Sequence, residues 1–242
     1  MAPEAVLLPD WHAPPGVRAL VTTRAWPGAS SGEFAAFNLG DHVGDDPAAV
    51  AANRAALIAA HALPAAPGWL AQVHGTVVAE LGETQLPATA DAAIAREPGH
   101  VCAVLTADCL PIVIARGDGS AVAAVHAGWR GLARGIVERA VARLGTDAGL
   151  SAWIGPAICA RCYEVDAPVR DSFYGEDHAH FVATRPGHWQ FDLAGAAAGR
   201  LARAGVANPV ASGICTSCDG RFYSHRRDRR TGRFATLAWI EE

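Results

Sequence analysis

Residues 101–131 read Val-Cys-Ala-Val-Leu-Thr-Ala-Asp-Cys-Leu-Pro-Ile-Val-Ile-Ala-Arg-Gly-Asp-Gly-Ser-Ala-Val-Ala-Ala-Val-His-Ala-Gly-Trp-Arg-Gly. Two apolar runs, 101–106 and 110–115, have strand length and are bounded by polar breaks. Arg-Gly-Asp-Gly-Ser is a turn, and 121–126 is a third strand. Gly128 and Gly131 bracket a tight strand-to-helix turn. The helix is then expected to run to about Leu144, with Leu132, Ile136, Val137, Ala140, Val141 and Leu144 on one face.

Outward from this centre the same alternation continues. Residues 17–24 read as a strand, and a Gly/Ser/Pro-rich loop leads to Phe37-Asn38-Leu39-Gly40. Asp46 is an N-cap with Pro47 at the first helical position, and the helix stops before Pro64. Residues 69–81 read as a strand carrying His74, and 153–158 as another. Asp192 caps an Ala-rich helix ending at Gly205, and 233–240 closes the chain as a strand. Helices and strands are interleaved without repeats or long linkers. The expectation is one α/β (α+β) domain spanning 1–242, a layered sandwich of mixed sheets flanked by helices.

Composition narrows the function. Apolar residues make up 51% of the 242 residues, ample for a core, but no apolar run is long enough to span a bilayer. The N-terminal stretch Met-Ala-Pro-Glu-Ala-Val-Leu-Leu-Pro-Asp lacks the basic start of a signal peptide, so a cytoplasmic protein is expected. The formal charge of −4 argues against a general nucleic-acid binder. The chain contains no lysine. That excludes Schiff-base and P-loop lysines and leaves arginine, backbone N–H groups or a metal to hold any anion.

His74, Cys109 and His126 each sit at a polar break near the end of an apolar segment. A lone cysteine in such a run is more often a small buried hydrophobe, and a lone histidine a hydrogen-bonded core residue. Asp108 and Cys109, however, interrupt an otherwise apolar stretch, and an ionisable group there is costly unless paired or ligated. Two imidazoles and one thiolate form a zinc-type ligand set with a fourth position open, the mark of a catalytic site. Arg130, at the turn after His126, fits an anion contact at a helix N-terminus. A tight turn with an exposed arginine fits the same residues equally well.

Cys159-Ala-Arg-Cys162 and Cys215-Thr-Ser-Cys218 form paired C-x-x-C motifs. They suit a structural zinc, but the gap between the pairs is far longer than in a zinc ribbon, so packing thiols are the preferred expectation and a second metal the minority one. A deaminase-type H-x-E triplet is absent, and the only methionine, the usual axial ligand of blue copper, is Met1. Arg226-Arg227-Asp228-Arg229-Arg230 is a charge run, usually a solvated face; the Phe222-Tyr223-Ser224-His225 stretch before it keeps substrate contact as the weaker option.

Together the segments resemble the bacterial laccase-domain family, also called YfiH-like or multicopper polyphenol oxidase, whose members are generally described as purine nucleoside phosphorylases. The matching stretches are Asn-Leu-Gly-Asp-His-Val-Gly-Asp-Asp-Pro from Asn38, Gln-Val-His-Gly at 72–75, Ala-Asp-Ala at 90–92, Thr-Ala-Asp-Cys-Leu-Pro at 106–111, Val-His-Ala-Gly-Trp-Arg-Gly at 125–131, Ile-Gly-Pro-Ala-Ile at 154–158, Cys-Tyr-Glu-Val at 162–165 and Arg-Phe-Tyr-Ser-His-Arg-Arg-Asp from Arg221. They cover nearly the whole chain in order. The resemblance implies one zinc held by His74, Cys109 and His126, with copper the other candidate metal. It implies phosphorolysis of adenosine, inosine and methylthioadenosine, with adenosine deamination as a further reaction and copper-dependent phenol oxidation also ascribed to the family.

On that basis a metal at the site polarises phosphate or activates water, with purine nucleosides and phosphate as the partners. Arg130 stabilises the anion, Asn38 and Gln72 orient the nucleoside, and Asp108 orients the ligand Cys109. Arg226 and Arg227 form the alternative anion site. Two rivals stand beside this reading. One is a metal-free cysteine hydrolase using Cys109 and a histidine; the other is a non-enzymatic zinc module on the C-x-x-C pairs.

Overall fold

The computed structural model describes residues 5–242. Met1, and with it the start of the stretch read as lacking a signal peptide, lies outside the described residues. The fold is a mixed α/β sandwich of three sheets and helices, as expected from the alternation of strand and helix patterns.

The central six-stranded sheet has the order β12 (Val210–Ala211), β8 (Leu150–Ile154), β6 (Leu110–Arg116), β7 (Val122–Ala127), β4 (Ala92–Ala95), β3 (Val78–Glu80). The 116–120 turn makes β6 and β7 an antiparallel hairpin, with Pro111 opposite His126. Against it lies a four-stranded antiparallel sheet of β1 (Val6–Leu7), β2 (Val17–Thr22), β13 (Phe234–Ile240) and β5 (Val101–Thr106). A third sheet, β10 (Phe181–Arg185), β11 (His188–Phe191) and β9 (Glu164–Asp166), joins the same core through Val165 and Phe191.

Period-two alternation decides which core each side chain enters. From β6, Ile112 and Ile114 face the helical side, where α3 (Ile136–Leu144) and α5 (Leu193–Arg203) pack. Val113 and Ala115 face the four-stranded sheet and meet Val104, Phe222 and Phe234. The far face of that sheet, through Leu20, Ala103, Leu105 and Leu237, is covered by Trp26, Phe37 and Leu57 of α1 (Pro47–His61). Strands buried on both faces read as continuous apolar runs, which is why the 101–127 stretch was legible. Among the described residues no helix is long and apolar enough to cross a membrane.

Three local expectations are corrected. Residues 69–81 form a strand only at Val78–Glu80; His74 lies in a loop at φ 57°. The expected helix to Leu144 is two helices, α2 (Trp129–Ala133) and α3, because Gly135 adopts φ 89° and breaks the run. The strand expected at 153–158 ends at Ile154, where Gly155 and Pro156 turn the chain away. The caps at Asp46 and Asp192 are present: their carboxylates accept from the N–H groups of Ala48 and Gly195.

Candidate metal centre

The hairpin geometry brings the three sequence-distant ligand candidates together. Cys109 precedes β6, His126 lies near the end of the partner strand β7, and the loop carrying His74 folds over both. The ligand atoms of His74, Cys109 and His126 all lie within 4.8 Å of one another. His74 Nε2 is 3.7 Å from Cys109 Sγ, and the two imidazoles meet edge-on at 4.7 Å between ring centroids.

Asp91, absent from the sequence-derived site, organises this group. It is fully buried just before β4. Its carboxylate lies 2.8 Å from His126 Nδ1 and accepts the backbone N–H groups of His74 (2.9 Å), Gly75 (2.6 Å) and Val73 (3.3 Å). One acceptor-only side chain thus fixes the His126 ring, leaves Nε2 free for a ligand, and holds the left-handed backbone of His74. Its signal in the sequence was the Ala-Asp-Ala motif, a lone acid in an apolar segment.

Gly128 completes the cradle: a Cβ there would lie 2.6 Å from His74 Cδ2 and 2.9 Å from Cys109 Sγ. Only glycine lets the chain pass this close to both ligands. Burial pushes the Cys109 thiol up, but the His126 charge and hydrogen bonds from both imidazoles outweigh it and bring it down to about 6. Burial pushes His126 down, yet the Cys109 thiolate and the Asp91 hydrogen bond carry it up to about 9.

The donor set, the fixed ring and the close-packed glycine fit a soft or borderline divalent ion such as zinc, with room left for a further ligand. Such an ion needs the thiolate and neutral imidazoles. Between pH 6 and 9 it must therefore displace the proton on His126, and affinity rises with pH across that window. The expected result is an apparent zinc Kd that falls about tenfold per pH unit from pH 6.5 to 8.5. Competition titration with a chelator measures it; a pH-independent Kd would contradict the assignment of that proton.

Two clefts meet at Cys109. One, of about 300 Å³, is walled by Trp129, Ile158, Tyr163 and Leu193, with Asp108, Arg226 and Arg229 at its polar side. The other, of about 380 Å³, is lined by His42, Gln72, His74, His126, Arg130 and Arg233. His225 borders both. Its Nδ1 lies 2.6 Å from the Arg229 carbonyl, which leaves Nε2 for the clefts.

The other expected site residues divide by what their polar atoms already do. Arg130 is exposed, lines the second cleft, and stacks over Trp129 at 4.3 Å. The helix it belongs to has five residues, so the helix dipole expected to assist it is slight. Asp108 accepts from Thr216 Oγ1 (2.7 Å) and the Arg226 N–H (2.6 Å), tying three loops together at φ 93°.

Asn38 is fully buried, its amide spent on Gly40, Asp45 and the Arg233 N–H, so it shapes the loop behind the cleft. Gln72 borders the cleft but pairs both amide groups with the Leu105 backbone, like an extra strand residue. Arg227 clamps the Thr216 and Phe222 carbonyls, pairs with Asp228, and lines neither cleft. Arg226 holds the Cys162 and Glu164 carbonyls while stacking on Tyr163, and is a wall of the first cleft. Tyr163 and His225 had no signal beyond the motifs that contain them, and Arg233 none beyond the start of the closing strand.

The two C-x-x-C pairs, expected as packing thiols, are brought together by the fold. Cys159, Cys162, Cys215 and Cys218 converge, their sulfurs within 4.8 Å of one another. None of the four is buried.

Comparison with known proteins agrees with the fold and the motifs. The family model described as multi-copper polyphenol oxidoreductase laccase matches residues 18–241. A Xylella fastidiosa protein named purine nucleoside phosphorylase is 47% identical over 98% of both chains. The Escherichia coli purine nucleoside phosphorylase YfiH is 41% identical over 97% of this chain and 98% of its own. The crystal structure of a Neisseria meningitidis protein superposes with a TM-score of 0.92 at 39% identity, covering 98% of this chain and all of that one.

Proposed function

We propose, from the premise that this chain belongs to the multi-copper polyphenol oxidoreductase laccase family, that it is a zinc-dependent purine nucleoside phosphorylase. Its substrates on this reading are adenosine, inosine and S-methyl-5'-thioadenosine, with adenosine deamination, in which water adds at the purine C6 and ammonia leaves, as a side reaction. The names of its relatives support the activity. The observation that carries the reading is the meeting of an aromatic cleft and a cationic cleft at the His74, Cys109, His126 cluster.

A purine has a flat apolar face with polar edges, which suits the cleft between Trp129 and Tyr163. Phosphate suits the neighbouring cleft, where Arg130 and Arg233 supply the positive charge that a lysine-free chain must take from arginine. Zinc held by His74, Cys109 and His126 supplies Lewis acidity at the junction. In the reaction a phosphate oxygen attacks the ribose anomeric carbon, the bond to the base nitrogen breaks, and the base leaves with that electron pair and takes a proton. His225 borders both clefts with Nε2 unengaged, and this reading assigns it that proton. Arg130 holds the attacking anion in place.

Arg130→Lys is expected to raise the apparent KM for phosphate about tenfold and Arg130→Ala about a hundredfold, because a point charge does not replace a bidentate contact. The nucleoside KM and the zinc content should change little. The assay is release of free base from inosine, titrated with phosphate; an unchanged phosphate KM in Arg130→Ala would move the anion site to Arg233 or Arg229.

A second reading has its own observation. The Cys109 thiolate beside a protonated His126 is the arrangement a cysteine hydrolase needs. Stripping the metal distinguishes them: a hydrolase keeps its activity, whereas the phosphorylase loses it.

A further inference from the structure

From the convergence of Cys159, Cys162, Cys215 and Cys218 we infer that this chain holds a second, structural zinc ion, bound by four thiolates and separate from the His74, Cys109, His126 centre. Each C-x-x-C closes the same tight turn. The N–H of Cys162 donates to the Cys159 carbonyl (3.0 Å) and that of Cys218 to the Cys215 carbonyl (3.1 Å). The two turns are set side by side by a parallel bridge between Ala157 and Cys215. The long sequence gap between the pairs is therefore closed by the fold.

The distances suit zinc. Tetrahedral coordination at about 2.3 Å places thiolates about 3.8 Å apart. The Cys162 and Cys218 sulfurs are 3.4 Å apart, and all four lie within 4.8 Å of one another. The Cys159 N–H also donates to Cys215 Sγ at 3.3 Å, as backbone amides do to metal-bound thiolates. Four ligands fill a tetrahedron and leave no open position, so this site is structural.

Its place gives it a purpose. The turns it joins carry Ile158 and Tyr163, which wall the aromatic cleft. They also carry the Cys162 carbonyl, which accepts from Arg226, and Thr216, which donates to Asp108 beside Cys109. A metal at the four thiolates would pin that wall. This site does not depend on which reaction the cleft performs.

The test uses the full chain, purified reduced, with zinc counted by mass spectrometry and cobalt(II) as the spectroscopic probe. Wild type should hold about two zinc ions per chain, and the His74→Ala, Cys109→Ser, His126→Ala triple variant about one. Cobalt loaded into that triple variant should give the strong thiolate-to-metal charge-transfer band and intense visible absorption of a four-sulfur tetrahedral site. Cys159→Ser with Cys162→Ser, Cys215→Ser and Cys218→Ser should lose that equivalent. If that variant does not fold, Cys218→Ser alone, at the exposed ligand, should weaken cobalt affinity about a hundredfold and reduce the charge-transfer intensity. A triple variant with reduced thiols that binds no cobalt would overturn the inference. So would a native protein whose intact mass shows the four thiols joined as two disulfides.

Discussion

Cys109→Ser is expected to empty the candidate catalytic centre and to lower phosphorolysis of inosine by about a thousandfold while the fold survives. A serine hydroxyl is a far weaker zinc ligand than a thiolate, and the thiolate also supplies the charge that holds His126 protonated when the metal is absent. Losing the electrostatic centre of an active site costs at least as much as losing one preorganised donor, about a hundredfold to a thousandfold. The substitution is nearly isosteric and half-buried at the end of a loop, so circular dichroism and thermal melting should change little. Metal counting and initial rates check it together. A Cys109→Ser protein that keeps its metal and its rate would remove Cys109 from the centre.

Asp91→Asn is expected to have the second-largest effect, although Asp91 touches no substrate. Its two oxygens face four donors: the N–H groups of Val73, His74 and Gly75 and the His126 ring. A carboxylate accepts from all of them, whereas an amide turns a donor of its own toward at least one. The buried conflict should cost about 1–3 kcal/mol of stability. It also releases the His126 ring and the His74 backbone, and outer-sphere partners of this kind are worth about 10- to 100-fold in metal affinity or activity. Denaturant unfolding and chelator competition measure the two parts. Loss of stability with undiminished zinc affinity would make Asp91 a fold residue only.

What was legible in the sequence follows from how local its cause is. The hairpin of β6 and β7 and the helices capped by Asp46 and Asp192 are set by apolar runs and caps a few residues long. The three candidate ligands stand out because each breaks an apolar segment. Residues 69–81, which carry His74, read as a strand. In the fold Val73 and Val77 are exposed, and Asp91 replaces the strand ladder as acceptor for residues 73–75. That substitute lies some sixteen residues away and leaves no periodic trace.

Asn38 and Arg227, expected as substrate contacts, already hold the fold together through their polar groups. Motif membership does not separate a residue that meets a ligand from one that ties its loop together, and both spend their polar atoms on backbone groups and a neighbouring carboxylate. The four cysteines were split by a spacing argument that holds for zinc ribbons. It does not hold where a parallel bridge joins Ala157 to Cys215.

The central claim, that phosphate is the second substrate at this centre, is tested most directly by the product formed from inosine. Wild-type protein incubated with inosine and phosphate should release hypoxanthine together with an equal amount of ribose 1-phosphate, detected by phosphorus NMR. Without phosphate, base release should fall to background. Equal rates of hypoxanthine release with and without phosphate, with free ribose as the sugar product, would contradict the claim and make the protein a hydrolase.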